Sequence, residues 1–66
     1  MKTHCIISID GQEFIASEME RAEAARLFDE TVRKPDLRNT TGKTVFALQV
    51  YRPRYGGYLR EKLVII

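Results

Sequence analysis

Thr44-Val45-Phe46-Ala47-Leu48-Gln49-Val50-Tyr51-Arg52-Pro53-Arg54-Tyr55-Gly56-Gly57-Tyr58-Leu59-Arg60-Glu61-Lys62-Leu63-Val64-Ile65-Ile66 is the stretch that decides the fold. Two runs of β-branched, aromatic and aliphatic residues flank a Pro and Gly-Gly turn signal, which is the pattern of an antiparallel hairpin. Thr44 to Tyr51 has apolar residues on both alternate sets, Val45 and Ala47 on one, Phe46, Leu48 and Val50 on the other. It is therefore expected to be an interior strand with both faces covered. The returning strand, Tyr58 to Ile66, has two solutions for its register. Leu59, Leu63 and Ile65 form one core-facing set that also contains Glu61, whereas Tyr58, Arg60, Lys62, Val64 and Ile66 form the other.

Upstream of this hairpin, Lys2 to Ile9 alternates Cys5, Ile7 and Ile9 with His4, Ile6 and Ser8, again a strand period. Asp10-Gly11 is a two-residue hairpin turn, and Gln12 to Ile15 is expected to pair back as a short second strand. Ser17 and Glu20 have the spacing of a capping box, so a helix is expected from Glu18 to about Arg33. Ala24, Ala25, Phe28 and Val32, flanked by Leu27 and Thr31, fall on one side of it and should face the sheet. Acids at its start (Glu18, Glu20, Glu23) and bases at its end (Arg33, Lys34) complement the helix dipole. On its outer face, Glu23 with Arg26, Asp29 with Arg33 and Glu30 with Lys34 have ion-pair spacing. Pro35 to Lys43 reads as an exposed loop.

The order is ββαββ, or βαββ if the second strand fails to form, and the fold class is α+β. The architecture expected is a two-layer sandwich of one helix on an antiparallel sheet of three to four strands. Residues 1–66 are read as a single compact domain, because no repeat, linker or low-complexity tract interrupts them. A core this small supplies about 3–5 kcal/mol, and the single cysteine, Cys5, allows no disulfide within the chain, so self-association is expected to add support. One helix covers one sheet face. The other is expected to expose some of Ile6, Phe46, Val50, Val64 and Ile66, an apolar patch that calls for a partner.

Composition narrows the function. The longest apolar run is Leu63 to Ile66, far short of the roughly 20 residues of a membrane span. No membrane association is expected, and the lone thiol points to a reducing compartment, the cytoplasm. The formal charge of +2 divides unevenly. Residues 1–34 hold five bases and seven acids, net −2, and residues 35–66 hold six bases and two acids, net +4. An acidic or phosphate-bearing partner would meet the second hairpin, and a basic one the helix.

The chemistry-bearing residues concentrate in that hairpin: Tyr51, Arg52, Arg54, Tyr55, Tyr58 and Arg60. Arginine forks onto carboxylate or phosphate and stacks on rings, while tyrosine offers a stiff surface with a polar tip. On a protein these residues are anchors. On nucleic acid the arginines take phosphates and the tyrosines stack on bases. Within the fold itself, they would serve only to cover and solubilise a sheet edge.

Gly42-Lys43-Thr44 resembles the end of a phosphate-binding loop, but the motif needs glycine where this chain has Leu37, and a helix where a strand follows. His4 and Cys5 point to opposite faces of a strand, so they do not chelate one metal. No nucleophile has a base within reach, and the paired carboxylates lie on a helix surface without a cleft. The expectation is a protein that is not an enzyme and uses no metal or cofactor.

The function expected is that of an interaction module that binds a protein partner through the six hairpin residues and inhibits it by occupying its surface. The concrete expectation is an inhibitor of the kind that phages and mobile elements direct against host defence complexes such as CRISPR effectors. It rests on size and fold class. A small nucleic-acid-binding regulator and a structural homodimer or assembly subunit are the alternatives.

Overall fold

The computed structural model describes Met1–Ile66. Four strands and one helix follow in the order β1 (Thr3–Ile9), β2 (Gln12–Met19), α1 (Arg21–Val32), β3 (Val45–Arg52) and β4 (Gly57–Ile65). The strands form one antiparallel sheet in the order β2-β1-β3-β4, with the helix on one face. This is the expected ββαββ, α+β arrangement.

The core forms because β1 and β3 place their even-spaced apolar residues in register. Cys5 lies opposite Val50, Ile7 opposite Leu48 and Ile9 opposite Phe46. All of these except the half-buried Ile9 are excluded from water, and Ala24 and Phe28 of α1 seal the layer from above. Thr31, one turn beyond Phe28, is also buried and returns its hydroxyl to the Leu27 carbonyl at 2.7 Å. Asp10 and Gly11 have φ of 51° and 83°, the left-handed pair that a two-residue turn between right-twisted strands requires. The Asp10 carboxylate also accepts from the Val45 amide at 2.9 Å, tying this turn to the start of β3.

Three local expectations are corrected. First, Ser17 caps nothing: β2 runs on to Met19, and the helix begins at Arg21 with Glu20 as an unassisted N-cap. The strand prevails because Ala16 to Met19 pair with Ile6 to Thr3, and Met19 becomes buried core. Second, the helix-surface ion pairs do not form; Asp29 instead takes Lys62 from β4 at 3.1 Å. Third, the segment after the helix is not simply an exposed loop. Pro35–Leu37 makes a short 3-10 turn, and the half-buried Arg38 donates to the Val32 carbonyl at 3.0 Å, satisfying a helix-end acceptor.

The register of β4 resolves through a bulge. Leu48 lies opposite Lys62 and Gln49 opposite Arg60, leaving Glu61 as an extra residue. Before the bulge Leu59 shares the helix-side face with Val50, and after it Lys62 and Val64 share that face with Leu48 and Phe46. Leu63 and Ile65 are therefore on the outer face, 44% and 54% exposed, and are not core-facing. The exposed-face expectation changes accordingly. Phe46 and Val50 are buried under the helix, and Val64 packs on the core. β3 has one fully covered face only: Val45, Ala47 and Gln49 are half-buried on the other, and Tyr51 is exposed.

Candidate functional site

Beyond the last strand pair, Arg52 with Gly57, the second hairpin closes through a 3-10 turn at Pro53–Tyr55. Pro53 fixes the turn's entry, and Gly56 ends it in the left-handed region at φ 66°, where a side chain would be strained. This short, sterically constrained turn carries Arg54 and Tyr55 into solvent. Tyr55 is 67% exposed, the most of the three tyrosines, and neither residue has a side-chain partner within the chain.

The other four residues divide by face. Tyr51 and Tyr58 are cross-strand partners on the outer face, their rings edge-to-face with centroids 5.4 Å apart. Tyr58 also reaches His4 on β1: hydroxyl and Nδ1 are 2.8 Å apart, and the rings again meet edge-on at 5.8 Å. Arg60 is on the same face, opposite Gln49, exposed and without an ion-pair partner.

Arg52 is on the helix side, away from the tyrosines. Its guanidinium donates to the Glu61 carboxylate at 3.2 Å, and Arg21 at the start of α1 grips that carboxylate with two nitrogens. The bulge makes this possible by directing Glu61 toward the helix rather than leaving it in the alternation. Glu61 thereby ties the start of α1, the end of β3 and the middle of β4 together. Lys62, next along, has its ammonium 5.8 Å from the centre of the Phe28 ring as well as on Asp29.

Five of the six hairpin residues thus remain on the tip and outer face, and the sixth is a strut. The grouping of His4 with Tyr51 and Tyr58 was missed from sequence, as was the Glu61 bridge. Both depend on strand pairings between residues distant in the chain, although the loss of clean alternation at Glu61-Lys62 is a local sign of the bulge.

Electrostatically the hairpin is less basic than its composition. Arg52 and Lys62 are neutralised by Glu61 and Asp29, so Arg54 and Arg60 are its two unpaired cations. On the outer face Glu18 stands directly opposite His4 and Glu13 opposite Ser8. Burial, reinforced by the nearby Glu61 charge and opposed by Arg21, pushes the Cys5 thiol above its ordinary range. A surface groove of about 390 Å³ lies where the start of α1 meets β4 and is lined by Arg21, Leu48, Leu59, Arg60, Glu61 and Lys62. Its charged residues are mostly committed to the ion pairs above, and it has little of the apolar lining that small-molecule sites use. No helix is long and apolar enough to cross a membrane. Comparison with protein-family models, curated proteins and solved structures finds no match to this chain.

Proposed function

We propose that the protein is a non-enzymatic interaction module that captures a protein partner with the tip of the second hairpin. Arg54 and Tyr55 are the anchors, and Tyr51, Tyr58 and Arg60 form the adjoining surface. The observation that carries this reading is Tyr55, an aromatic side chain 67% exposed on a turn whose backbone is held by Pro53 and Gly56. A pre-shaped turn loses little conformational entropy on binding, and Tyr and Arg are the residues that dominate protein interfaces.

Charge favours protein over nucleic acid. Two unpaired cations on the hairpin, Arg54 and Arg60, neutralise two phosphates, which gives single-stranded binding a salt slope of only about −1.4. The mechanism proposed is occupation of the partner's surface at one-to-one stoichiometry. The concrete form is inhibition of a host defence complex, such as a CRISPR effector, by a phage or mobile-element product. Size, fold class and the pre-shaped tip support it. Cytoplasmic residence belongs to the same proposal, since a lone thiol such as Cys5 stays reduced there.

The test is capture from nuclease-treated bacterial extract by the immobilised protein, beside the Arg54→Ala/Tyr55→Ala double variant. The wild type retains a discrete protein and the variant loses it. Equal retention by both refutes the tip as the contact. A gel shift with random single-stranded DNA or RNA at low salt, abolished by the same variant, would transfer the site to nucleic acid.

A further inference from the structure

We infer that the uncovered sheet face is a two-fold interface at which a second copy of this chain packs, with β4 of each copy over β2 of the other. The two anchors of the tip, Arg54 and Tyr55, lie beyond the last strand pair and stay free for the target, whereas Arg60 and the outer face that carries Tyr51 and Tyr58 are shared with the contact between copies.

Opposite charges stand at the two edges of that face. Glu13 and Glu18 occupy outer-face positions on β2, at one edge of the sheet, and Arg60 occupies one on β4, at the other. None of the three has an ion-pair partner in its own chain. Three strand spacings separate the edges, about 14 Å, which is too far for pairing within one copy.

A two-fold axis lying between two such faces and parallel to the strands exchanges left for right and keeps the tip end in place. It therefore sets Arg60 over the partner's β2. Through Gln49 and Ile6, Arg60 is level with Ala16, between Glu18 on one side and Glu13 on the other. The symmetry makes this match twice, as an isologous contact requires.

The rest of the face mixes the polar His4, Ser8 and Gln49 with apolar side chains on β1, β3 and β4. Ile6, Val45 and Ala47 are half-buried, and Leu63 and Ile65 are 44% and 54% exposed. A standard interface takes about 800 Å² from each partner, roughly one sixth of the 4658 Å² of this chain, and this sheet face is the broad surface that the helix leaves open. Growth of the sheet through its edges is the competing arrangement. Both edge strands oppose it, β2 with an irregular register beside Phe14 and β4 with the Glu61 bulge between two further charges. The face-to-face dimer points both tips the same way, presenting two copies of Arg54 and Tyr55.

Sedimentation equilibrium from micromolar to millimolar concentration tests this, using the full chain and two single variants. The wild type is expected to reach twice its 7.6 kDa mass. Arg60→Glu and Glu18→Arg each place like charges across the interface and should weaken dimerisation by at least about tenfold. Mixed in equal amounts they form a heterodimer in which both pairs between positions 60 and 18 are again opposite in sign, with one like pair left between the introduced glutamate and Glu13 of the other copy, and association returns in large part. The mixture also guards against misfolding, because an unfolded variant gives no recovery while its circular dichroism reports the cause. A monomer at millimolar concentration overturns the inference. So does a dimer indifferent to both substitutions, which is the edge-paired result, or a mixture of two folded variants that stays monomeric.

Discussion

Replacing Glu61 by glutamine keeps the side-chain volume and removes the charge that joins α1, β3 and β4. The two ion pairs are not equivalent. The Arg21 side chain is 55% exposed, so its share is that of a surface pair, about 0.2–1 kcal/mol. The Arg52 side chain is 33% exposed and Glu61 21%, which places their charge-assisted hydrogen bond near the lower end of its usual range, about 1 kcal/mol after screening. Together the loss is about 1–2 kcal/mol. At about 2.1 cal/mol/K per residue, 66 residues unfold with an entropy near 140 cal/mol/K, so each kcal/mol moves the midpoint by about 7 °C. Glu61→Gln should therefore lower the melting temperature by about 7–14 °C, measured by circular dichroism in 0.15 M salt. The difference should shrink in 1 M salt, where the exposed arm is screened. A double-mutant cycle with Arg52→Met isolates the less exposed arm. A shift below about 2 °C, or zero coupling in the cycle, would refute the assignment of Glu61 and Arg52 as a structural strut.

Phe28→Ala should leave the chain unfolded at room temperature, since removing a fully buried phenylalanine costs about 3–5 kcal/mol, as much as so small a core supplies; a cooperative thermal melt would contradict this. Gly11→Ala puts a Cβ at φ 83° and should cost about 1–2 kcal/mol in urea unfolding, although no neighbouring atom crowds the site. Cys5 makes stability depend on alkaline pH. Its folded pKa is raised, so the stabilisation is complete below the unfolded thiol's pKa and declines as pH rises through the folded value. Urea titrations from pH 7 to 10 should show this decline, and Cys5→Ala should remove that part of it. In the native state at pH 8, disulfide reagents should label the thiol far more slowly than in the unfolded chain.

The parts of the fold legible in sequence are those decided within a few residues. Asp10-Gly11 fixes a turn by itself, and Ala24 with Phe28 marks the buried side of a helix by helical spacing. The end of β2 was not legible, because Ser17 and Glu20 are a locally consistent helix start. Only pairing with Thr3 to Ile6, and the burial of Met19, makes strand the better state. The bulge at Glu61 likewise needs a partner strand and two arginines from elsewhere, so neither regular alternation describes β4. At the site, the six hairpin residues were legible as a cluster, but the face that each one takes was not: Tyr51 and Tyr58 pair on the outer face. Arg52, one residue away, points to the opposite face, and its carboxylate partner is nine positions along the chain.

In the proposed function, Tyr55 and Arg54 project outward to hold another protein while contributing nothing to the fold. Replacing Tyr55 with a photoreactive benzophenone amino acid and irradiating in nuclease-treated bacterial extract tests it most directly. A discrete protein adduct is expected, which excess wild-type chain competes away and the Arg54→Ala/Tyr55→Ala variant, folded to the same melting temperature, does not. Absence of an adduct, or equal competition by the two chains, would contradict it.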